Sequence, residues 1–129
     1  MAKMRFRKVH ERFMNLSYAI KKSAEEIVDV VYDESKRVYL EKKKKGVVTS
    51  GVLLASFMKD PVKHRGTLQY EGIVYVDTGR APYAIYVDQI GWKQKEGGHK
   101  EAYGFMEAGA KKGEELAAVI VAKNITKYV

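Results

Sequence analysis

Apolar residues return mostly every three or four positions through the first third of the chain, at Phe6, Val9, Phe13, Leu16, Ile20, Ala24, Ile27, Val31 and then Val38. Side chains at that spacing share one face of an α-helix, so the segment predicts an amphipathic helix with a narrow apolar seam. No Pro or Gly interrupts it before Gly46, and Lys42, Lys43, Lys44 and Lys45 place cations where the helix dipole is negative. The expected element is one long helix, or two nearly collinear ones, over roughly residues 5–44, about 60 Å long if unbroken at 1.5 Å per residue. A domain of this size has a radius of gyration of only about 14 Å. Such a helix projects from the body, and a neighbouring subunit is the economical cover for its seam. The alternative is a break near Ser23 or Asp33 that folds two helices back onto one core.

Past Gly46, Thr49 or Ser50 is a candidate N-cap for a short packing helix in "GVLLASF", which Asp60 and Pro61 interrupt before a strand. The period then changes to two. Leu68 and Tyr70, then Ile73, Tyr75 and Asp77 against Val74 and Val76, predict a small antiparallel sheet of about two to four strands with one face on the helices. Gly66 and Gly72 are turn or bulge positions. The stretch "APYAIYVDQI" at 81–90 reads as a short helix opening at Pro82, with Ala84, Val87 and Ile90 apolar. "GWKQKEGGHK" at 91–100 has no apolar period and carries Gly91, Gly97 and Gly98, so an exposed loop is expected.

A second long helix is expected through Phe105, Ala108, Lys112, Leu116, Val119 or Ile120, and Lys123. Gly104, Gly109 and Gly113 would each weaken it by roughly 1 kcal/mol relative to Ala. That cost makes sense where another backbone packs closely. Together these elements predict an α+β fold in one domain over residues 1–129. Long N- and C-terminal helices pack on a small antiparallel sheet, with short helices and an exposed Gly- and Lys-rich loop.

Composition narrows the function more than the fold. The longest apolar runs, "IVYV" and "AAVIVA", fall far short of the roughly 20 residues a membrane-spanning helix needs. The opening "MAKMRFRKVHERF" is basic but lacks the apolar core of a secretory signal. Without cysteine, neither a disulfide framework nor a thiolate metal site can form. Lys and Arg total 24 against 16 acidic residues, a formal charge of +8, which favours anionic partners.

Catalytic constellations are missing from the pattern. His10, His64 and His99 lie on separate elements without metal-ligand spacing. The pairs Glu25–Glu26 and Glu114–Glu115 occupy adjacent helical positions about 100° apart, so neither converges on a substrate. No nucleophile elbow, phosphate loop or dinucleotide fingerprint occurs. The expectation is a protein without catalytic, cofactor-binding or metal-binding residues. Nucleic-acid binding is the stronger competitor, because Lys93, Lys95, Lys100, Lys111 and Lys112 could extend the basic run, with tyrosines and Trp92 as stacking rings. Tyr70, Tyr75 and Tyr83, however, fall in period with apolar neighbours, which favours packing. Lys also outnumbers Arg, and base-edge reading leans on Arg. Any DNA contact would be electrostatic and unselective.

The order of elements and three short motifs resemble the head-tail joining and tail-completion proteins of tailed bacteriophages. That family commonly shows a T-G-x-L-x-x-S segment, a Y-A-x-x-V-E-x-G-T segment after a strand, and P-F-x-x-x-A at the start of the last helix. Here Ser50, Gly51, Leu53 and Ser56 lie near the first pattern. Tyr83, Ala84, Val87, Asp88 and Gly91 fit the second, and Phe105 with Ala108 or Ala110 fits the third. The chain departs from the pattern where Asp88 replaces Glu, where Gln89 and Ile90 both separate it from Gly91, where Trp92 stands in place of Thr, and where Gly104 replaces Pro.

The resemblance implies a non-enzymatic virion protein, made in the host cytoplasm, that forms a homo-oligomeric, hexameric ring at the head–tail junction. Its implied partners are a head-closure or connector protein on one side and the tail terminator or tail tube on the other, with no cofactor and no membrane. Residues 91–100 would dock onto an adjacent ring or subunit, with Tyr83, Tyr86, Asp88, Trp92, Lys93, Lys95, His99 and Phe105 as candidate contacts. Trp92 is either an anchor in that interface or tucked under its own loop. Tyr83 and Asp88 either meet a neighbour or belong to a helix packed on the sheet with an exposed carboxylate. Lys42, Lys43, Lys44 and Lys45 face either a DNA channel or an acidic neighbouring ring.

Overall fold

The computed structural model describes residues 6–44, 51–93 and 99–129, with side chains described from residue 10 to 42, 51 to 91 and 101 to 129. The fold is α+β, with a long helix at each end of the described chain and short antiparallel strands between them. Helix α1 (Phe6–Lys44) is continuous through Ser23 and Asp33, so the broken-helix alternative is set aside. Pairs one turn apart on its surface support it, with Arg37 bonded to Glu34 at 2.7 Å and to Glu41 at 2.9 Å. Each such pair contributes only about 0.2–0.5 kcal/mol, so tertiary packing holds most of the helix. The caps expected from Thr49 and Ser50 lie outside the described residues.

Helix α2 (Val52–Ala55) is a single turn that buries Leu53 and leads directly into strand β1 (Phe57–Lys59). Strands β2 (Lys63–Gly66), β3 (Gln69–Glu71) and β4 (Val74–Val76) follow. They form one long antiparallel hairpin broken into two stretches. Phe57, Met58 and Lys59 face Val76, Tyr75 and Val74, while Lys63 and His64 face Glu71 and Tyr70. Pro61 has no N–H to give the ladder, and the break falls beside it. A 3.0 Å bond from the Asp60 N–H to the Ile73 carbonyl carries the two strands across. The hairpin lies along α1: Lys59 reaches Asp29 at 2.6 Å, and the Tyr70 and Ser17 hydroxyls meet at 2.8 Å.

Helix α3 (Phe105–Tyr128) runs antiparallel to α1. Ring contact between Tyr18 and Tyr128 marks one end of their contact and ring contact between Tyr39 and Phe105 the other. The inner line of α3 is Phe105, Gly109, Gly113, Ile120 and Asn124. Of the expected line, Ala108 packs half-buried against the core and Leu116 is half-buried, but Lys112 is exposed, and of the pair Val119 and Ile120 it is Ile120 that is buried, with Val119 at 66% exposure. The reason is the approach of α1. Gly109 lies against the Ser35 hydroxyl and the Val31 carbonyl, and Gly113 against Val31, so the contact face selects small residues rather than greasy ones.

The most deeply buried residues of α1 are Ala19, Ser23, Val28, Ser35, Val38 and Tyr39; Ile20, Ala24, Ile27 and Val31 of the expected seam are half-buried, the last two against Gly113, while Phe13 stays exposed. Ser23 is satisfied in the interior, donating to the Ala19 carbonyl at 2.8 Å and accepting from Asn124 Nδ2 at 3.0 Å. At the Phe105 end, Tyr39, Leu53, Phe57, Val87, Tyr103 and Phe105 form the aromatic core of the protein.

Candidate functional site

The segment joining the hairpin to α3 carries most of the motif residues. Its short helix does not begin at Pro82 as a regular α-turn. After turn bonds from the Ala84 N–H to the Ala81 carbonyl and from the Val87 N–H to the Tyr83 carbonyl, residues Tyr86–Ile90 form a π-helical turn. The Gly91 N–H closes it on the Tyr86 carbonyl at 2.7 Å. Gly91 has φ 82° and ψ 177°, a conformation essentially reserved to glycine, so this position requires one. Strand β5 (Trp92–Lys93) then pairs with β6 (His99–Lys100). The ends of the expected 91–100 loop are therefore held as a short antiparallel ribbon.

Asp88 ties this turn to α3. Its side chain is 6% exposed and accepts a 3.1 Å hydrogen bond from the Met106 N–H, while its carbonyl accepts from the Gly104 N–H at 2.8 Å. Gly104, the residue at the N-cap, offers no side-chain oxygen, so Asp88 caps the helix from a distant part of the chain. Burial pushes the Asp88 carboxyl above its ordinary range, and Glu107 adds to this, against the backbone bonds from Met106 and Phe105 and the Gln89 side chain, which pull it down.

A raised carboxyl in the folded state contributes stability that is complete below the unfolded value near 3.8 and is lost as pH rises through the folded value. Asp88→Asn keeps an oxygen acceptor and removes the charge. Its stability relative to the parent is expected to improve as pH rises from acid toward neutral, measured by urea unfolding at several pH values. Asp88→Ala removes the acceptor as well and is expected to cost about 1–2 kcal/mol. A parent protein that gains on Asp88→Asn as pH rises would mean that the helix terminus, not burial, governs this carboxyl.

The candidate docking residues thus separate into two sets. Asp88 and Phe105 are buried in their own chain, Phe105 completely, and belong to the α3 cap and the core instead of an outer surface. Tyr83 is half-buried against that core. Its hydroxyl and that of Tyr39 have no hydrogen-bond partner among the described residues, and burial, with the Tyr83 and Tyr103 phenols nearby, pushes Tyr39 up to about 12. Tyr86 is exposed. The side chains of Trp92, Lys93 and His99, and all of Lys95, lie outside the described residues. Lys42 is exposed at the end of α1; the side chains of Lys43 and Lys44, and Lys45 entirely, also lie outside the described residues.

Two apolar surfaces stand uncovered, the first not singled out from the sequence and the second on the helix expected to project from the body. The first surrounds a groove of about 310 Å³ between β4 and the π-turn, lined by Val74, Tyr75, Ile85 and Met106, among others. Of its lining, Tyr75 and Ile85 are exposed, and so are Ile73, Tyr86 and Ile90, each next in the chain to a lining residue. Asp60 and Asp77 lie beside the Tyr75 phenol and push it upward. The alternation of Ile73, Tyr75 and Asp77 was the available signal, but periodicity does not say which face of a strand looks outward.

The second surface is the start of α1. The contact with α3 ends at Tyr18, so residues 6–17 extend past it by about 18 Å at 1.5 Å per residue. Residues 10–15 are exposed throughout, including Phe13 at 42% and Met14 at 53%. Among the described residues no group of three His, Asp or Glu side chains is arranged to hold a metal ion, and no helix is long and apolar enough to cross a membrane. Comparison with protein-family models, curated proteins and solved structures gives no match at the level that would show a relationship.

Proposed function

We propose that this chain is a structural subunit of a tailed-bacteriophage particle, a ring-forming component at the head–tail junction that completes the tail and joins it to the head connector. The observation that carries the reading is the overhang of α1, whose Phe13 and Met14 are uncovered although α3 and the hairpin cover the helix from Ser17 onward. A helix built this way leaves apolar area that association can remove from water at about 25 cal/mol per Å². The motif residues support the same reading through their structural work. Ala84 and Val87 pack in the core, Asp88 caps α3 and Gly91 makes the turn that only glycine allows.

One departure has a local explanation. Gly104 has φ 64°, which Pro, locked near −65°, cannot adopt, so the chain enters its last helix by a different turn from relatives with Pro there. In the particle, the +8 chain would meet an acidic ring or the phosphates in the channel without reading bases. Sedimentation of the purified chain tests the ring, and imaging of virus particles carrying a tagged copy tests the location. Closed oligomers and a tag at the neck are expected. A monomer at high concentration, absent from particles and binding DNA with strong salt dependence, would favour a free nucleic-acid-binding protein instead.

A further inference from the structure

We infer that the overhang of α1 in one copy seats in the groove beside β4 of the next copy, so that the ring is closed by a head-to-tail contact between two different surfaces. This rests on the ring reading above and names the faces it would use. The overhang presents Phe13 and Met14 in a stretch of α1 whose sequence carries Arg7, Lys8 and Arg12 against Glu11. The groove presents the complement: an apolar floor of Val74, Val76 and Met106, exposed Ile85 and Tyr75 at its mouth, and the carboxylates of Asp60 and Asp77 beside that tyrosine. Apolar residues meet apolar residues, and a basic flank meets an acidic rim. Such pairing favours the correct partner and speeds encounter.

Within one chain the contact is out of reach. The groove lies at the Phe105 end of the helix pair, where Phe105 meets Tyr39, and Phe13 lies beyond the opposite end, at Tyr18. Those positions are roughly 30 Å or more apart along α1 at 1.5 Å per residue, and the helix between them is unbroken. The overhang can therefore fill only another copy's groove. A contact between unlike patches repeats from copy to copy until the rotation closes it into a ring or it runs on as a filament.

Two variants separate this from other modes of association. Phe13→Asp spoils the overhang and leaves the groove intact; Ile85→Asp spoils the groove and leaves the overhang intact. Both sites are exposed, and circular dichroism is expected to show parental helix content. Each variant alone is expected to lose the oligomer and run as a 14.7 kDa monomer in native mass spectrometry. Mixed in equal amounts, they are expected to form a species of twice that mass and nothing larger, because one good overhang meets one good groove and both remaining ends are blocked.

An Ile85→Asp protein that assembles like the parent while Phe13→Asp does not would overturn the inference, since overhangs would then pair with one another. A mixture that stays monomeric would overturn it too. In both cases the ring reading stands if the parent oligomerises; a parent that is monomeric throughout removes both.

Discussion

Phe105→Ala is expected to destabilise the protein by about 3–5 kcal/mol, the range for truncating a fully buried aromatic ring. The ring is completely buried, with its centroid 5.1 Å from that of Phe57 and 5.6 Å from that of Tyr39. It also stands at the first turn of α3, where Asp88 receives the Met106 N–H, so a cavity here loosens both the core and the cap. Chemical denaturation of the variant against the parent reads the loss. Tyr86→Ala is the matched control, because Tyr86 is 52% exposed and its removal should change stability by no more than about 0.5 kcal/mol. If Phe105→Ala left stability unchanged and abolished only association, the residue would belong to an interface after all, and the position of the core would be misassigned.

The second large effect is expected at Gly109. A methyl group there would collide with the Ser35 hydroxyl and lie 2.7 Å from the Val31 carbonyl oxygen, and a carbonyl in α1 cannot move without moving the helix. Gly109→Ala gains up to about 1 kcal/mol in helix propensity. Overpacking costs typically about 1–3 kcal/mol, and the collision with backbone places this site at or above the upper end. A net loss of about 2 kcal/mol is expected, read from the urea midpoint. Ser35→Ala added to it should recover only part of the loss, since the carbonyl remains. Gly113→Ala is expected to cost less, because its nearest obstacle is a Val31 methyl at 2.5 Å rather than a carbonyl, and the nearest backbone oxygen, that of Ile27, is 3.9 Å away. It is expected to stay within about 1 kcal/mol of the parent. Equal losses at both glycines would mean that the helices do not approach as closely as their backbones indicate.

These glycines also explain which parts of the fold could be read early. The continuity of α1 was legible because a helix needs only an unbroken run without Pro or Gly and a repeating apolar face. The line buried in α3 was legible only in part: Gly109 and Gly113 pointed to a close backbone approach, which is there, but the apolar period pointed elsewhere. Its inward residues include Gly109, Gly113 and Asn124, none of which registers as hydrophobic, while outward Val119 does. In the candidate site, the motif from Tyr83 to Gly91 falls on the π-helical turn and its closing glycine, a geometry the expected short helix at 81–90 did not foresee. Its chemistry was another matter: Asp88 could have been a surface contact until the start of α3 was placed against it.

The amino-acid sequence by itself determined the α+β class, the two long helices and the antiparallel strands between them, because period, Pro and Gly act over a few neighbouring residues. Tertiary structure alone decided that α1 outruns α3 at Tyr18, that Asp88 is a buried cap and that a groove opens beside β4. Each of those depends on which residues from distant parts of the chain come to lie against one another, and local pattern carries no measure of that distance.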